Sequence, residues 1–218
     1  FRMRAMNHAE TLISKGRPGI GTSFRLGSTP QGGEVSIRNF VSSVMATENN
    51  TVINLSDYNS NVVFVSGTGN ITSDTQTFTL NEGESIVFSG YTDVNANWTG
   101  FIGALLTATK PVAVSTGNAT GGVSNNGSDF TLDQIVSSSQ IGTEYIFIEG
   151  NGLPQMELPL IIANEDNTQI FVNGNTVAAI TLNAGDYYLV PNSQYQGSAT
   201  NKNIYVKSSK PVFAYQLI

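Results

Sequence analysis

Four short phrases of this chain occur twice, in the same order. The first-copy phrases are GTSFRL (Gly21–Leu26), MATENNTVINL (Met45–Leu55), TLNEGESIVF (Thr79–Phe88) and TKPVAV (Thr109–Val114). Their second-copy partners are GTEYIF (Gly142–Phe147), IANEDNTQIFV (Ile162–Val172), TLNAGDYYLV (Thr181–Val190) and SKPVFAY (Ser209–Tyr215). Repeated phrases in a fixed order indicate an internal duplication, so the 218 residues should hold two copies of one structural unit.

Short runs of β-branched and aromatic residues recur along the chain, and each is flanked by Gly, Asn, Asp, Ser or Pro. Examples are Val62–Val65, Ile86–Phe88, Tyr145–Ile148 and Ile204–Val206. This rhythm of strands and turns is typical of sandwiches and barrels. Together with the duplication it predicts an all-β fold of two tandem antiparallel β-sandwich units with a jelly-roll-like arrangement.

The domain boundary is expected near residue 120, because Thr116–Phe130 is the run richest in Gly and Asn and has the composition of a linker. Residues 1–120 then form the first β unit with a short N-terminal segment, and residues 121–218 form the linker and the second unit. Within the N-terminal segment, Ala5–Ser14 has the spacing of a short helix. The first copy carries its extra residues in two polar stretches, Ser56–Gln76 and Tyr91–Trp98.

A glycine in one shared phrase predicts a tight turn. Gly83 in Leu80–Glu84 and Gly185 in Leu182–Asp186 stand where a three-residue hairpin loop requires a positive φ. We therefore expect a hairpin at this point in each copy.

Two further shared phrases also contain turn or edge signals. Glu48–Thr51 and Glu165–Thr168 separate two apolar runs and predict a second hairpin per copy. Proline cannot donate to a strand ladder, so Lys110-Pro111 and Lys210-Pro211 predict strand entries, with each lysine in solvent.

The composition excludes several kinds of chemistry. The chain has no Cys and one His, which rules out disulfides, thiolate zinc sites, cysteine nucleophiles and His-based metal clusters. The only histidine is His8, and the sequence contains no G-x-S-x-G motif of a serine hydrolase. No glycine-rich stretch completes a phosphate-binding loop. We therefore expect no catalytic residue, no metal and no cofactor.

Nucleic acid and membrane partners are not expected either. The net charge is −6, and the basic residues of the N-terminal part are scattered instead of forming a run. The longest weakly polar stretch, around Phe101–Leu106, is far short of the roughly 20 residues that cross a bilayer.

Three residue sets leave alternatives open. Any two carboxylates could serve a glycosidase, and those available are Asp133, Glu144, Glu149, Glu165, Asp166 and Asp186. The acidic turn Asn164–Asn167 offers oxygen ligands for calcium, although turn chemistry explains it equally well. Tyrosines that sugar-binding modules would expose are concentrated late in the chain, at Tyr187, Tyr188, Tyr195, Tyr205 and Tyr215, but adjacent strand positions should face opposite sides.

Three longer phrases resemble the IgGFc-binding protein N-terminal domain family. They are WTGFIGALLTATKPVAVSTGN (Trp98–Asn118), LDQIVSSSQIGTEYIFIEGNG (Leu132–Gly152) and IIANEDNTQIFVNG (Ile161–Gly174). The chain looks most like the bacterial members, from Bacteroidota, that occur in giant gliding and surface adhesins. The resemblance covers about residues 16 to 218.

This resemblance implies a non-catalytic module of a large cell-surface adhesin or filament, exported by the type IX route and displayed outside the cell, and it transfers no catalytic residue. The chain is then expected to be a piece of a longer protein. Its partners would be neighbouring modules of the same long chain and an extracellular glycan or other surface ligand, with the ligand-binding residues unknown. The alternative is a glycan-binding or glycan-processing β-sandwich.

Overall fold

The computed structural model describes residues 2–4, 11–30, 38–65, 75–121, 129–150, 157–198 and 201–217. These residues form β-strands and short 3-10 helices, with no α-helix among them, so the all-β prediction is confirmed. The chain divides into two compact units, Phe1–Gln140 (unit 1) and Ile141–Ile218 (unit 2).

The strands of unit 1 are β1 (Arg2–Arg4), β2 (Thr11–Ile13), β3 (Ile20–Arg25), β4 (Arg38–Ala46), β5 (Thr51–Ser56), β6 (Gln76–Leu80), β7 (Ser85–Tyr91), β8 (Leu105–Gly121) and β9 (Asp129–Gln134). Its 3-10 helices are Arg17–Gly19, Asn95–Trp98 and Ser138–Gln140. The strands of unit 2 are β10 (Gly142–Ile148), β11 (Pro159–Ala163), β12 (Thr168–Val172), β13 (Ile180–Leu182), β14 (Tyr187–Leu189) and β15 (Asn203–Gln216), with a 3-10 helix at Asn192–Gln194.

One long strand, β8 in unit 1 and β15 in unit 2, organises the main sheet of each unit. In unit 1, β8 pairs with β3, β4, β5 and β9, and the outer strands β7 and β6 pair with β4 and β5. In unit 2, β15 pairs with β10, β11 and β12, and β14 and β13 pair with β11 and β12. Apart from β9, the two sheets have the same strand order, and every pairing in them is antiparallel.

The pairing registers of the two units also agree residue for residue. Matching pairs are Gly21↔Val112 with Gly142↔Val212, Val44↔Ile86 with Ile161↔Tyr188, and Ile53↔Ala108 with Ile170↔Ser208. A shift of one residue would turn every side chain to the other face of the sheet, so equal registers require equal inward and outward positions. The duplication predicted from the four phrases is therefore confirmed at the level of strand pairing.

The two cores are filled differently. Unit 1 packs aromatic rings against each other, including a stacked pair, Phe40 and Phe101, whose ring centroids are 4.0 Å apart. Phe64 lies edge-on to both of these rings. Unit 2 is packed mainly with aliphatic side chains, namely Ile161, Ile170, Val172, Leu182, Val190, Ile204, Val206 and Val212, together with Phe147.

The shared phrases meet at one bend of each sheet, which we call the corner. In unit 1 the corner consists of Thr47–Asn50, Asn81–Glu84 and Thr109–Pro111. In unit 2 it consists of Asn164–Asn167, Asn183–Asp186 and Ser209–Pro211. In both units the first segment links two strands that pair with the same long strand, and the second links the two outer strands.

The two hairpins predicted in each copy are wrong. Val212 pairs with Gly142 and Ala163, and Val206 pairs with Tyr145 and Val172, so β10 occupies one edge of β15 while β11 and β12 share the other. Because β11 and β12 are both antiparallel to β15, they run in the same direction and their connection is a bulged bend. The outer strands likewise pair with β11 and β12 and not with each other.

Side chains fasten the three corner segments together in the same way in both units. The Lys110 ammonium donates to the Asn49 carbonyl oxygen at 2.5 Å, and Lys210 donates to the Asp166 carbonyl oxygen at 2.6 Å. The side-chain oxygens of Asn49 and Asp166 in turn accept from the backbone N–H of Glu82 and Ala184, at 3.1 and 3.0 Å. The lysines therefore bind the corner and are not simply solvated.

The two Lys-Pro dipeptides lie inside β8 and β15 and do not begin strands, which corrects the sequence prediction. The register of β8 with its neighbours includes residues 105–108, 112–118 and 121, and it omits the Lys-Pro residues 109–111. Proline is accommodated there because no ladder hydrogen bond is required of its nitrogen.

Two other predictions concern the N-terminal part and the linker. The helix predicted over Ala5–Ser14 is wrong at its end, since Thr11–Ile13 is a strand paired with Arg2–Arg4, and its first residues lie outside the described ones. The predicted boundary near residue 120, which divides the two sequence copies, stays a prediction. The compact units divide after Gln140, because β9 pairs with β8.

The positive φ predicted for the turn glycines is confirmed, at 79° for Gly83 and 86° for Gly185. A Cβ added to Gly83 would have no heavy atom within 4 Å, so a substitution there tests backbone strain alone. We expect Gly83→Val to lower the free energy of unfolding by about 1–2 kcal/mol, the usual cost of a left-handed L-residue. Thermal unfolding followed by circular dichroism measures the difference.

The matched control is Gly142→Ala, whose added Cβ would meet nothing closer than the Tyr145 hydroxyl oxygen at 3.8 Å. It should unfold like the wild-type chain. Equal melting temperatures for Gly83→Val and the wild type would contradict the role given to this turn.

Candidate binding site

Unit 2 exposes large apolar side chains on the outer face of its sheet. Ile146 and Ile148 of the edge strand β10 are 70% and 67% exposed. Tyr205 of β15 lies directly opposite Ile146 and therefore on the same face. We call Ile146, Ile148 and Tyr205 the bare face.

The corresponding surface of unit 1 is covered. The counterpart of Ile146 is Arg25, which is only 4% exposed. Its guanidinium donates to the Asp57 carboxylate at 2.7 Å and to the Gly103 carbonyl oxygen at 3.0 Å. Asp57 belongs to the β5–β6 connection, residues 57–75, which is longer than the β12–β13 connection of unit 2, residues 173–179. The shorter connection of the second copy leaves the bare face open.

Charged side chains border the bare face. Glu144 and Lys207 are paired across the strands, with 3.8 Å between Oε1 and Nζ and 57% of each side chain exposed. An ion pair in water contributes little to stability. Both charges therefore remain accessible to a partner, and the pair contributes little to the stability of the fold.

A cavity of about 230 Å³ lies elsewhere in unit 2. Its lining combines apolar, hydroxyl and amide groups from the strand ends and the β12–β13 connection, namely Val172, Asn175, Thr176, Val177, Ala179, Tyr188 and Gln194. Val177 on its margin is 79% exposed. Four of the seven lining residues, Asn175, Thr176, Tyr188 and Gln194, carry groups that can form hydrogen bonds, so the cavity places polar groups beside an apolar wall.

Most of the carboxylates considered as catalytic candidates are engaged separately. Glu144 faces Lys207, and Asp133 accepts from the Ile13 N–H at 2.9 Å. Asp186 accepts from the Asn183 N–H at 2.9 Å and so closes its own turn. The structure does not bring these residues to one place.

One carboxylate that the sequence analysis did not single out, Glu157, lies near Glu149. Glu157 is 4% exposed and accepts a hydrogen bond from the Gly150 N–H. Glu149 is paired with Lys202 at 3.0 Å. Both charges act on the Tyr195 phenol, whose pKa is raised to about 12 by burial first and then by Glu157 and Glu149. The apolar residues around Glu157, Met156 and Leu158, were the only signal of its burial.

The acidic turn Asn164–Asn167 is used by the corner. The Asp166 carboxylate accepts from Ala184, and Glu165 lies 3.8 Å from the Lys210 ammonium. No group of three or more His, Cys, Asp or Glu side chains suited to a metal ion occurs in the part of the chain that the structure describes.

The late tyrosines do not form one array. Tyr205 belongs to the bare face, Tyr188 lines the cavity and packs against the core, and Tyr195 packs against the core and donates to the Glu157 carbonyl oxygen at 2.7 Å. Burial raises the pKa of both Tyr187 and Tyr188.

A comparison with protein families matches residues 9–218 of the chain to the family described as IgGFc binding protein. The chain belongs to this family. No curated protein and no solved structure matches. Domains of the IgGFc-binding family are binding modules, typically extracellular, and are not known as enzymes. Among the described residues, no helix is long and apolar enough to cross a membrane.

The Tyr195 phenol provides a test of the polar end of unit 2. Its folded-state pKa lies above the ordinary value of 10.0, so its contribution to stability is complete below pH 10 and is lost as the pH rises toward 12. Tyr195→Phe should remove one phenol that ionises late from the absorbance titration at about 295 nm. The stability of this variant should also fall less between pH 10 and pH 12 than that of the wild type. A titration unchanged above about pH 11 would contradict the assigned environment.

Proposed function

We propose that the chain is a non-catalytic extracellular module of a large cell-surface adhesin or filament. Its role is adhesion or contact with neighbouring modules, in the setting of type IX export and gliding motility. Membership of a binding-module family supports the general class. The bare face is the observation that carries the finer proposal.

The bare face suits a contact surface on physical grounds. Ile146 and Ile148, which are 70% and 67% exposed, contribute little burial energy to the stability of the fold. Burying a whole isoleucine side chain is worth about 1.5–3 kcal/mol, so two of them with a tyrosine can supply much of a weak contact. The counterpart surface of unit 1 buries its charged residue, which restricts this contact to unit 2.

A bead-retention experiment tests the proposal. Beads carrying the wild-type chain are allowed to settle under flow on methyl-terminated and hydroxyl-terminated surfaces. The variant Ile146→Ser with Ile148→Ser should be retained much less on the methyl-terminated surface, because the apolar area available for burial is reduced. Its melting temperature should stay close to wild type, since both side chains are exposed.

The matched control is Val87→Ser, which removes an apolar side chain that is 57% exposed on β7 of unit 1. Retention of this variant should equal that of the wild type. Equal loss in the control and the double variant, or no retention of the wild type, would count against the bare face.

Glycan binding is the second candidate, and the cavity favours it. Tyr188 presents part of its aromatic ring to the cavity, as a surface on which a sugar can pack. Asn175, Thr176 and Gln194 present amide and hydroxyl groups that can form hydrogen bonds with sugar hydroxyls. Glycan processing has less support, because Glu149 and Glu157 are held by Lys202 and the Gly150 N–H.

A glycan array separates the two candidates. If the cavity binds sugar, Asn175→Ala should lose the signals that the wild type gives, whereas Asn61→Ala, an exposed turn amide of unit 1, should keep them. An array without wild-type signals leaves the bare face as the binding surface and removes the glycan candidate.

A further inference from the structure

Each sequence copy has, ahead of its main sheet, a strand at a fixed distance before a 3-10 helix. In the first copy β2 ends three residues before Arg17–Gly19, and in the second copy β9 ends three residues before Ser138–Gln140. The first strand of the main sheet, β3 or β10, follows the helix almost at once. We call β2 and β9 the leading strands.

The leading strand of the second copy joins the sheet of the first. β9 pairs with β8 in the register Ser115↔Gln134 and Thr116↔Asp133. The Ile135 N–H extends this pairing by donating to the Val114 carbonyl oxygen at 2.9 Å. The sheet of unit 1 is thus completed by a strand that belongs, by sequence, to the next copy.

The matching edge of β15 is open among the described residues. β10 pairs with β15 only as far as Val212, whereas β11 follows the other edge to Gln216. The Leu217 N–H donates to the Leu158 carbonyl oxygen on the β11 side at 3.2 Å. Backbone groups alternate along a strand, so the Gln216 N–H and the Ala214 carbonyl group point to the open side.

We propose that the backbone groups of Ala214 and Gln216 on the side of β15 away from β11 accept the leading strand of a further copy of the repeat, as β8 accepts β9. Units of this kind then join head to tail, with each sheet completed by the strand that leads the next copy. Strand addition of this type draws its affinity from main-chain hydrogen bonds. The proposal concerns a different surface from the bare face and does not depend on it.

A residue of unit 2 limits how far a docked strand can pair along β15. At the next position Gly117 of β8 is replaced by Leu217, and a Cβ at Gly117 would collide with the Thr131 carbonyl oxygen of β9. A strand docked on β15 in the β9 register must therefore diverge after Gln216. This difference predicts that a glycine at position 217 lengthens the contact.

A peptide with the sequence of residues 127–140 serves as the probe, since its strand pairs with β8 in the structure. Labelled peptide should bind the wild-type chain saturably, one per chain, and a scrambled peptide should not. Gln216→Pro removes the edge N–H and should weaken binding about tenfold, whereas Gln216→Ala keeps it and should bind within about threefold of wild type. Leu217→Gly should bind several-fold more tightly.

Amide hydrogen exchange locates the peptide without any substitution. Exchange at Gln216 should slow when the peptide is bound, while the amides of Val114–Asn118 stay as they are. No peptide binding, or protection of β8 through displacement of β9, would overturn the proposal. Equal binding by Gln216→Pro and Gln216→Ala, or no gain from Leu217→Gly, would overturn it as well.

Discussion

Each unit depends on one long strand that pairs along both of its edges. β8 and β15 supply the backbone partners for most of the other strands, and a buried backbone group without a partner would be costly. The pairing of this long strand with the two strands on one edge is interrupted at the Lys-Pro dipeptide, with one of these strands on each side of the gap. Proline fits in the gap because no neighbour requires an N–H there, and the lysine donates a hydrogen bond to the segment that joins the two strands.

The residues that the two copies share mostly maintain this geometry. Asn49 and Asp166 hold equivalent turns, and Gly83 and Gly185 take the same positive φ. The residues that differ change both the cores and the surface. The core of unit 1 is built around aromatic rings and that of unit 2 around aliphatic side chains. On the outer face of the sheet, Arg25 is buried with Asp57 in unit 1, while its counterpart Ile146 is exposed in unit 2.

Local signals in the sequence predicted much of the fold, and their failures have one cause. Strand content, the duplication and the positive φ of the turn glycines follow from side-chain type and spacing, which act over a few residues. A bulged bend such as Asn164–Asn167 has the same turn chemistry as a hairpin, so the partner of each strand could not be inferred locally. The resemblance of three longer phrases predicted the family correctly.

The candidate surfaces were less accessible to prediction. Tyr145–Ile148 reads as an ordinary half-buried strand, and the exposure of Ile146 and Ile148 follows from cover that unit 1 has and unit 2 lacks. Glu157 becomes notable only once its burial beside Tyr195 is seen. By itself, the sequence determined an all-β chain made of two copies of one unit, because turn residues and alternating apolar residues act locally. Only the tertiary structure decided which strands pair, which faces stay open and that β9 completes the sheet of unit 1, because these depend on contacts between residues far apart in the chain.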